Sequence, residues 1–183
     1  MTREKIAQYN VKLHAFTVLE FIITLAILAI VTTLALPAFA QLQARLESKN
    51  IYPYLNTTLQ RYKLHAVTQR QNVILCSTNN GQTCNQSNSW NHGILAIHDQ
   101  NYNHRVDPTD PVLSFHHNSI HHGTLTWKGG ATATKIIVLQ GDTGLPRGSM
   151  GSFYYCSDKN NQLSHKNALS HMGHLRHEKL NGC

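Results

Sequence analysis

FTVLEFIITLAILAIVTTLAL, residues 16–36, is the stretch that decides the fold. It is a run of 21 residues with one charge, Glu20. At a rise of about 1.5 Å per residue a helix of this length crosses a hydrocarbon core. The residues before it are polar and basic, with Arg3, Lys5 and Lys12 against Glu4. That bias keeps them cytoplasmic and sends the rest of the chain to the other side. A cleaved export signal is the competing reading, with a small-residue site near Ala38, Phe39 and Ala40. It leaves Glu20 without a purpose. A carboxylate in an apolar span costs a few kcal/mol and normally has a partner, which a discarded signal would not need.

The chain around this stretch has 183 residues, 41% apolar and 14% charged, enough for one ordinary domain plus an anchor. Of the net charge of +7, residues 1–15 supply +2, and 13 Lys or Arg face 7 Asp or Glu from Arg45 onward. A basic surface of this kind favours polyanions or anionic membranes, with plain solubility as the alternative use of the charge. Cys76, Cys84, Cys156 and Cys183 contain no C-x-x-C pair, so a zinc ribbon or thioredoxin motif is not indicated. In an exported head four cysteines suggest two disulfides. Three pairings are possible; the local one joins Cys76 to Cys84 and Cys156 to Cys183, and four free thiols are the alternative.

Helical periodicity continues past the apolar run: Phe39, Leu42 and Leu46, then Leu55, Leu59, Tyr62 and Ala66, recur at three- and four-residue spacing. Pro53 predicts a kink near Tyr52. After Gln71 the signals become short strands: 72–77, 93–98, 112–115, 124–128, 135–139 and 152–156, with 167–176 as a hairpin through Met172 and Gly173. The fold class expected is α+β, a long N-terminal helix packed on an antiparallel sheet.

The segment from Ala15 to Pro37 resembles the type IV pilin signature. The resemblance implies cleavage by a prepilin peptidase between Ala15 (Gly is usual there) and Phe16, followed by N-methylation. Glu20 stands at the family's acidic fifth position of the mature chain, and Pro37 at its helix-bending proline. In a helical filament Glu20 would neutralise the Phe16 amine of a neighbouring subunit, so the buried charge gains its partner on assembly. Pro37 removes one helix hydrogen bond and permits local bending. The expected organisation is a leader at 1–15, a transmembrane assembly helix at 16–44 and an extracytoplasmic head at 45–183. The expected location is the inner membrane with the head in the periplasm, then the cell surface after assembly.

The head resembles the FimT, FimU and GspH family of minor pilins and pseudopilins. The resemblance rests on Trp90 to Asp99, the turn Asp99-Gln-Asn101-Tyr-Asn103, the turn 140–144, and Phe153-Tyr154-Tyr155-Cys156. Gly173-His174-Leu175-Arg176 is similar to a Gly-Arg-x-Arg motif of the FimT branch, with His174 in place of the first Arg. That likeness implies DNA binding during natural transformation. Arg176, His174, Lys179, Lys166 and Lys159 are the candidate contacts, opposed by Asp158 and Glu178. Sequence-independent phosphate contact needs only positive charge and donors. The alternatives are a structural minor pilin that primes assembly, or a type II secretion pseudopilin. Expected partners are other pilins, DNA, the prepilin peptidase and the inner membrane.

Other signals are discounted. The pairs His116-His117 and His121-His122 lack the spacing of a helical zinc motif and read as loop. Asp99, Asn101, Asn103, Asp107 and Asp110 resemble part of a calcium loop, but His104 replaces the required Gly and the closing Glu is absent, so an Asx turn is expected. Ser149 and Ser152 do not form a nucleophile elbow. No catalytic residue, metal or cofactor is expected.

Overall fold

The structure is a computed structural model and describes residues 17–85, 87–130, 134–180 and 182–183. Ala15 and Phe16 lie outside the described residues. The chain divides into two units, Met1–Phe39 and Ala40–Cys183.

In the first unit every described residue from 17 to 39 except the junction at Thr17 is helical and exposed, with Val18, Phe21, Ile22, Leu28 and Ile30 all more than half accessible. These residues open α1, Val18–Gln69, a helix long and apolar enough to cross a membrane. Thr17 begins it: its Oγ1 accepts from the Glu20 backbone N–H at 3.3 Å, an N-cap in the first turn. Pro37 lies inside the helix, and so does Pro53. The kink expected near Tyr52 does not interrupt the element. Pro53 removes one hydrogen bond, while Ser48, Ile51, Leu55 and Leu59 around it are buried. Packing of those turns outweighs the lost bond.

The described residues of the second unit form eight strands: β1 Asn72–Ser77, β2 Gly93–Asp99, β3 Val112–His117, β4 Gly123–Gly129, β5 Ile136–Leu139, β6 Gly151–Ser157, β7 His165–Leu169 and β8 Leu175–Lys179. They make two antiparallel sheets, ordered β3-β2-β1-β5 and β4-β6-β7-β8. One core joins them. Ile51, Leu55, Leu59, Tyr62 and Ala66 of α1 meet Val73, Leu75, Ile94, Ala96, Ile137 and Leu139 of the first sheet. The same helix stripe meets Leu125, Trp127, Phe153, Tyr155, Leu169 and Leu175 of the second.

β1 is buried at all six positions because its other face is also covered: Cys76, Leu95 and Ile97 pack with Cys84 and Ile136. A continuous apolar run instead of an alternating one is the consequence. In the second sheet one face is wet, and burial alternates along β4, β6 and β7.

Two disulfides close the loops. Cys76 bonds Cys84, bringing the chain after β1 back onto its own strand, and Cys156 bonds Cys183, tying the C-terminus to β6. Among the described residues no cysteine is free.

Candidate functional site

The β-sheet β4-β6-β7-β8 presents a solvent face whose residues follow from the pleat. Thr126, Tyr154, Lys166 and Glu178 stand in one cross-strand row, and Lys128, Ser152, Ala168 and Arg176 in the next. Three cations, Lys128, Lys166 and Arg176, therefore share one face with a single carboxylate, Glu178. Lys128 Nζ sits 4.6 Å from the centre of the Tyr154 ring, a cation–π contact. Glu178 lies between the other two cations, with Arg176 Nη2 at 2.5 Å and Lys166 Nζ at 3.3 Å. The hydrogen bond to Lys166 first, and then Arg176, holds the Glu178 carboxyl below the usual carboxylate range. Arg176 remains 78% exposed despite this pair, so its guanidinium keeps free donor sites toward solvent.

The five tail residues singled out in the sequence do not form one patch. Lys166 and Arg176 share the solvent face. Lys179 is an odd number of residues from Arg176 on β8 and faces the opposite way, pairing across to His165. His174 is exposed in the turn before β8, and its backbone N–H donates to Ser170 Oγ at 3.2 Å. Lys159 is exposed in the turn after β6. Lys128 and Tyr154, absent from the sequence-derived set, share that face because β6 lies between β4 and β7: Tyr154 is directly opposite Lys166, and Lys128 lies one strand beyond Tyr154. Their position depends on strand order, which no local signal carried.

The turn that delivers Arg176 is built for its place. Gly173 has φ +69°, and a Cβ there would meet Lys63 Nζ at 2.9 Å. Lys63 donates to the Met172 carbonyl at 3.2 Å, fastening the β7–β8 turn to α1. The glycine of Gly173-His174-Leu175-Arg176 thus serves backbone geometry, Leu175 serves the core, and Arg176 alone reaches the solvent face.

Glu47, which no sequence pattern marked, holds the other end of the sheet. Its carboxylate accepts from the backbone N–H of His121 at 2.8 Å and of His122 at 3.1 Å, and from Tyr155 Oη at 2.9 Å. Burial, then the bond to Glu47, keeps the Tyr155 phenol well above its ordinary range, so it stays a donor. The His121-His122 segment is a docking loop for the helix. His116 also serves structure: its Nε2 lies 2.5 Å from Tyr62 Oη, and burial first, then Arg61, holds its pKa below the ordinary value.

The loop 99–110 is closed by its own acids. Asp99, fully buried, accepts from Asn72 Nδ2, Asn103 N and His104 N at 3.0–3.1 Å. Asp110 accepts from Gln100 N at 3.2 Å and Asp107 N at 2.9 Å. The amide of Asn101 first, then that of Asn103, holds the Asp107 carboxyl below its usual range. These oxygens are engaged by N–H donors as an Asx turn requires. Among the described residues no group of three or more His, Cys, Asp or Glu is placed to hold a metal ion. Ser149 is buried, and its Oγ accepts from Val138 N at 3.0 Å, a structural contact on β5.

Within the first unit Glu20 is exposed on α1, and among the described residues no ion pair reaches it.

A family model described as Type II transport protein GspH matches residues 55–173. The type IV minor pilin FimU of Pseudomonas aeruginosa is similar in fold. Its P21 crystal form superposes with a TM-score of 0.51 at 19% identity, covering 73% of this chain and 90% of that one. Its P65 form gives 0.49 at 16% identity, covering 71% and 91%. No curated protein matches.

Proposed function

This chain belongs to the GspH family, and on that premise we propose that it is a minor pilin of a type IV pilus whose head binds extracellular DNA for uptake. Minor pilins and pseudopilins are built around an apolar helix like the first part of α1, fit to anchor a head outside the cytoplasm. In the proposed maturation a prepilin peptidase cuts after Ala15 and Phe16 becomes the methylated N-terminus. Glu20 then pairs with that amine in an adjacent subunit, which fits a carboxylate with no ion-pair partner among the described residues. Pro37 gives α1 a weak point for bending during packing. The role is structural and ligand-binding, with no catalytic step.

The observation that carries the DNA reading is the shared solvent face of Lys128, Lys166 and Arg176 around Tyr154. Phosphates need cations at spacings along a backbone and no base readout, and a sheet face carrying cations on separate strands offers that without sequence preference. The ring of Tyr154 offers an unpaired base a stacking surface once Lys128, which lies over it in the free protein, swings onto a phosphate.

A second reading is favoured by Glu178, which occupies Lys166 and Arg176 from within the protein. On that reading Glu178 engages two of the three cations internally and leaves the face only weakly positive, and the chain is a structural minor pilin or a type II secretion pseudopilin.

Fluorescence anisotropy with duplex and single-stranded DNA at low salt, using full-length protein in neutral detergent, separates the two. DNA binding predicts that Arg176→Gln and Lys128→Gln weaken affinity, each flattening the plot of log affinity against log salt by about 0.9 for every phosphate it no longer neutralises. It also predicts that Glu178→Gln strengthens binding by freeing both cations. Equal affinities for all three variants and wild type would leave the structural reading.

A further inference from the structure

Two histidines that no sequence spacing connects meet between α1 and β2. His65 is on the helix and His98 is the penultimate residue of β2, and their Nε2 atoms lie 3.0 Å apart. The rings are tilted by 32° with centroids 5.2 Å apart, so they meet nearly head-on. Both side chains are half-buried, so solvent reaches the pair. Each stands on a rigid element. β2 is paired on both sides, with His98 opposite Val73 of β1 and its N–H donating to the Pro111 carbonyl at 3.0 Å. His65 follows Tyr62 and precedes Ala66, both buried core positions of α1.

In this hydrogen bond one Nε2 carries the proton and the other accepts it. We propose that this pair is a binding site for a divalent transition-metal ion of the copper class, with the ion replacing the shared proton. Metal–imidazole bonds are about 2.0–2.1 Å long, so nitrogens 3.0 Å apart subtend about 90–95° at a common ion. If the rings turn while the nitrogens stay near that separation, the angle is the cis angle of a tetragonal site, the geometry of Cu²⁺ and Ni²⁺. Of these ions Cu²⁺ binds nitrogen donors most strongly.

The proton balance is simple. In the neutral pair the donor ring passes its proton from Nε2 to Nδ1 through solvent, and both Nε2 lone pairs then face the ion. Each ring must also turn out of the head-on alignment, which half-exposed side chains can do. Two protein nitrogens leave the remaining positions of a tetragonal ion to water or to an outside donor. The site is separate from the solvent face of Lys128, Lys166 and Arg176, and it does not depend on DNA binding.

The test uses full-length protein in neutral detergent, one equivalent of Cu²⁺, and glycine as a competing chelator that strips loosely held ions. Pulsed electron paramagnetic resonance should count two imidazoles on the copper of wild type. Titration should show at least a tenfold loss of affinity in His65→Gln and in His98→Gln, and no loss in His121→Gln or His122→Gln. Tryptophan fluorescence of the metal-free variants reports whether the core of Trp90 and Trp127 is intact. Should His98→Gln fail to fold, His65→Gln and the wild-type imidazole count decide the matter. Fewer than two imidazoles in wild type, unchanged affinity in His65→Gln, or an equal loss in the His121 and His122 variants would overturn the proposal.

Discussion

Replacing Glu47 by alanine should destabilise the head more than any other single change of a surface-accessible residue. The carboxylate receives three hydrogen bonds, from His121 N–H, His122 N–H and Tyr155 O–H. Bonds to a charged acceptor contribute about 1.5–3 kcal/mol each, and a buried donor left without a partner costs about 1–3 kcal/mol. Tyr155 is fully buried, so its hydroxyl would be left with Ser157 alone, while the two loop amides lie nearer solvent and recover part of their loss to water. The expected cost of Glu47→Ala is about 3–5 kcal/mol, a large part of the usual 5–15 kcal/mol of a domain. Glu47→Gln keeps an acceptor oxygen and loses the charge, and should cost about 1–2 kcal/mol. Tyr155→Phe removes the buried donor along with its bond and should cost about 1–1.5 kcal/mol. The double variant Glu47→Ala/Tyr155→Phe should therefore be less destabilised than the two single effects added together. Urea unfolding of the disulfide-intact chain, followed by the fluorescence of Trp90 and Trp127, measures all four; with a slope of about 2 kcal/mol/M the alanine variant shifts its midpoint by about 2 M. A Glu47→Ala midpoint within about 0.3 M of wild type would refute the claim that this carboxylate fastens α1 to the second sheet.

Further outcomes follow from other parts of the head. Reducing Cys156–Cys183, which spans 27 residues, should cost about 3.5 kcal/mol by chain entropy and release β8 first, read as faster amide exchange at Arg176 and His177. Gly173→Ala places a side chain at φ +69° against Lys63 and should cost about 1–2 kcal/mol in the same urea titration, with Gly173→Asn costing less. Stability should decline as pH falls below about 6.5 because of His165. Burial, against the pull of the Leu163 carbonyl, holds its native pKa below the ordinary 6.5, so the unfolded chain takes up that proton first. The contribution is complete above that pH and shrinks below it by at most about 1.4 kcal/mol per unit. A His165→Leu variant should lose this part of the slope.

The strands were legible where apolar bursts end at turn residues. Asn72–Ser77 stands as read, the next five strands differ by one or two residues at their ends, and the hairpin read at 167–176 begins two residues earlier, at His165, and ends three residues later, at Lys179. The helix stripe of Leu55, Leu59, Tyr62 and Ala66 is core because its spacing matches the helical repeat. Pairing order was not legible, since antiparallel strands with similar composition can adjoin in many orders, and the division into two sheets follows from that order alone. This is why Lys128 was missed: it joins Lys166 only through β6. The outward turn of Arg176 and the opposite turn of Lys179 could have been read from their odd separation on one strand. Glu178, two residues from Arg176, could have been read as its neighbour by the same rule. Glu47 could not, because its partners lie 74 to 108 residues away and two of them are backbone amides.

Whether the anchor and its carboxylate belong to the finished protein is decided by the mature N-terminus, read by intact-mass and N-terminal peptide spectrometry of protein purified from its native membrane. A chain beginning at methylated Phe16, with the apolar helix and Glu20 kept, is the expected result. A chain beginning at Phe39 or Gln41 would contradict the pilin reading, since the helix and Glu20 would then have been discarded before assembly.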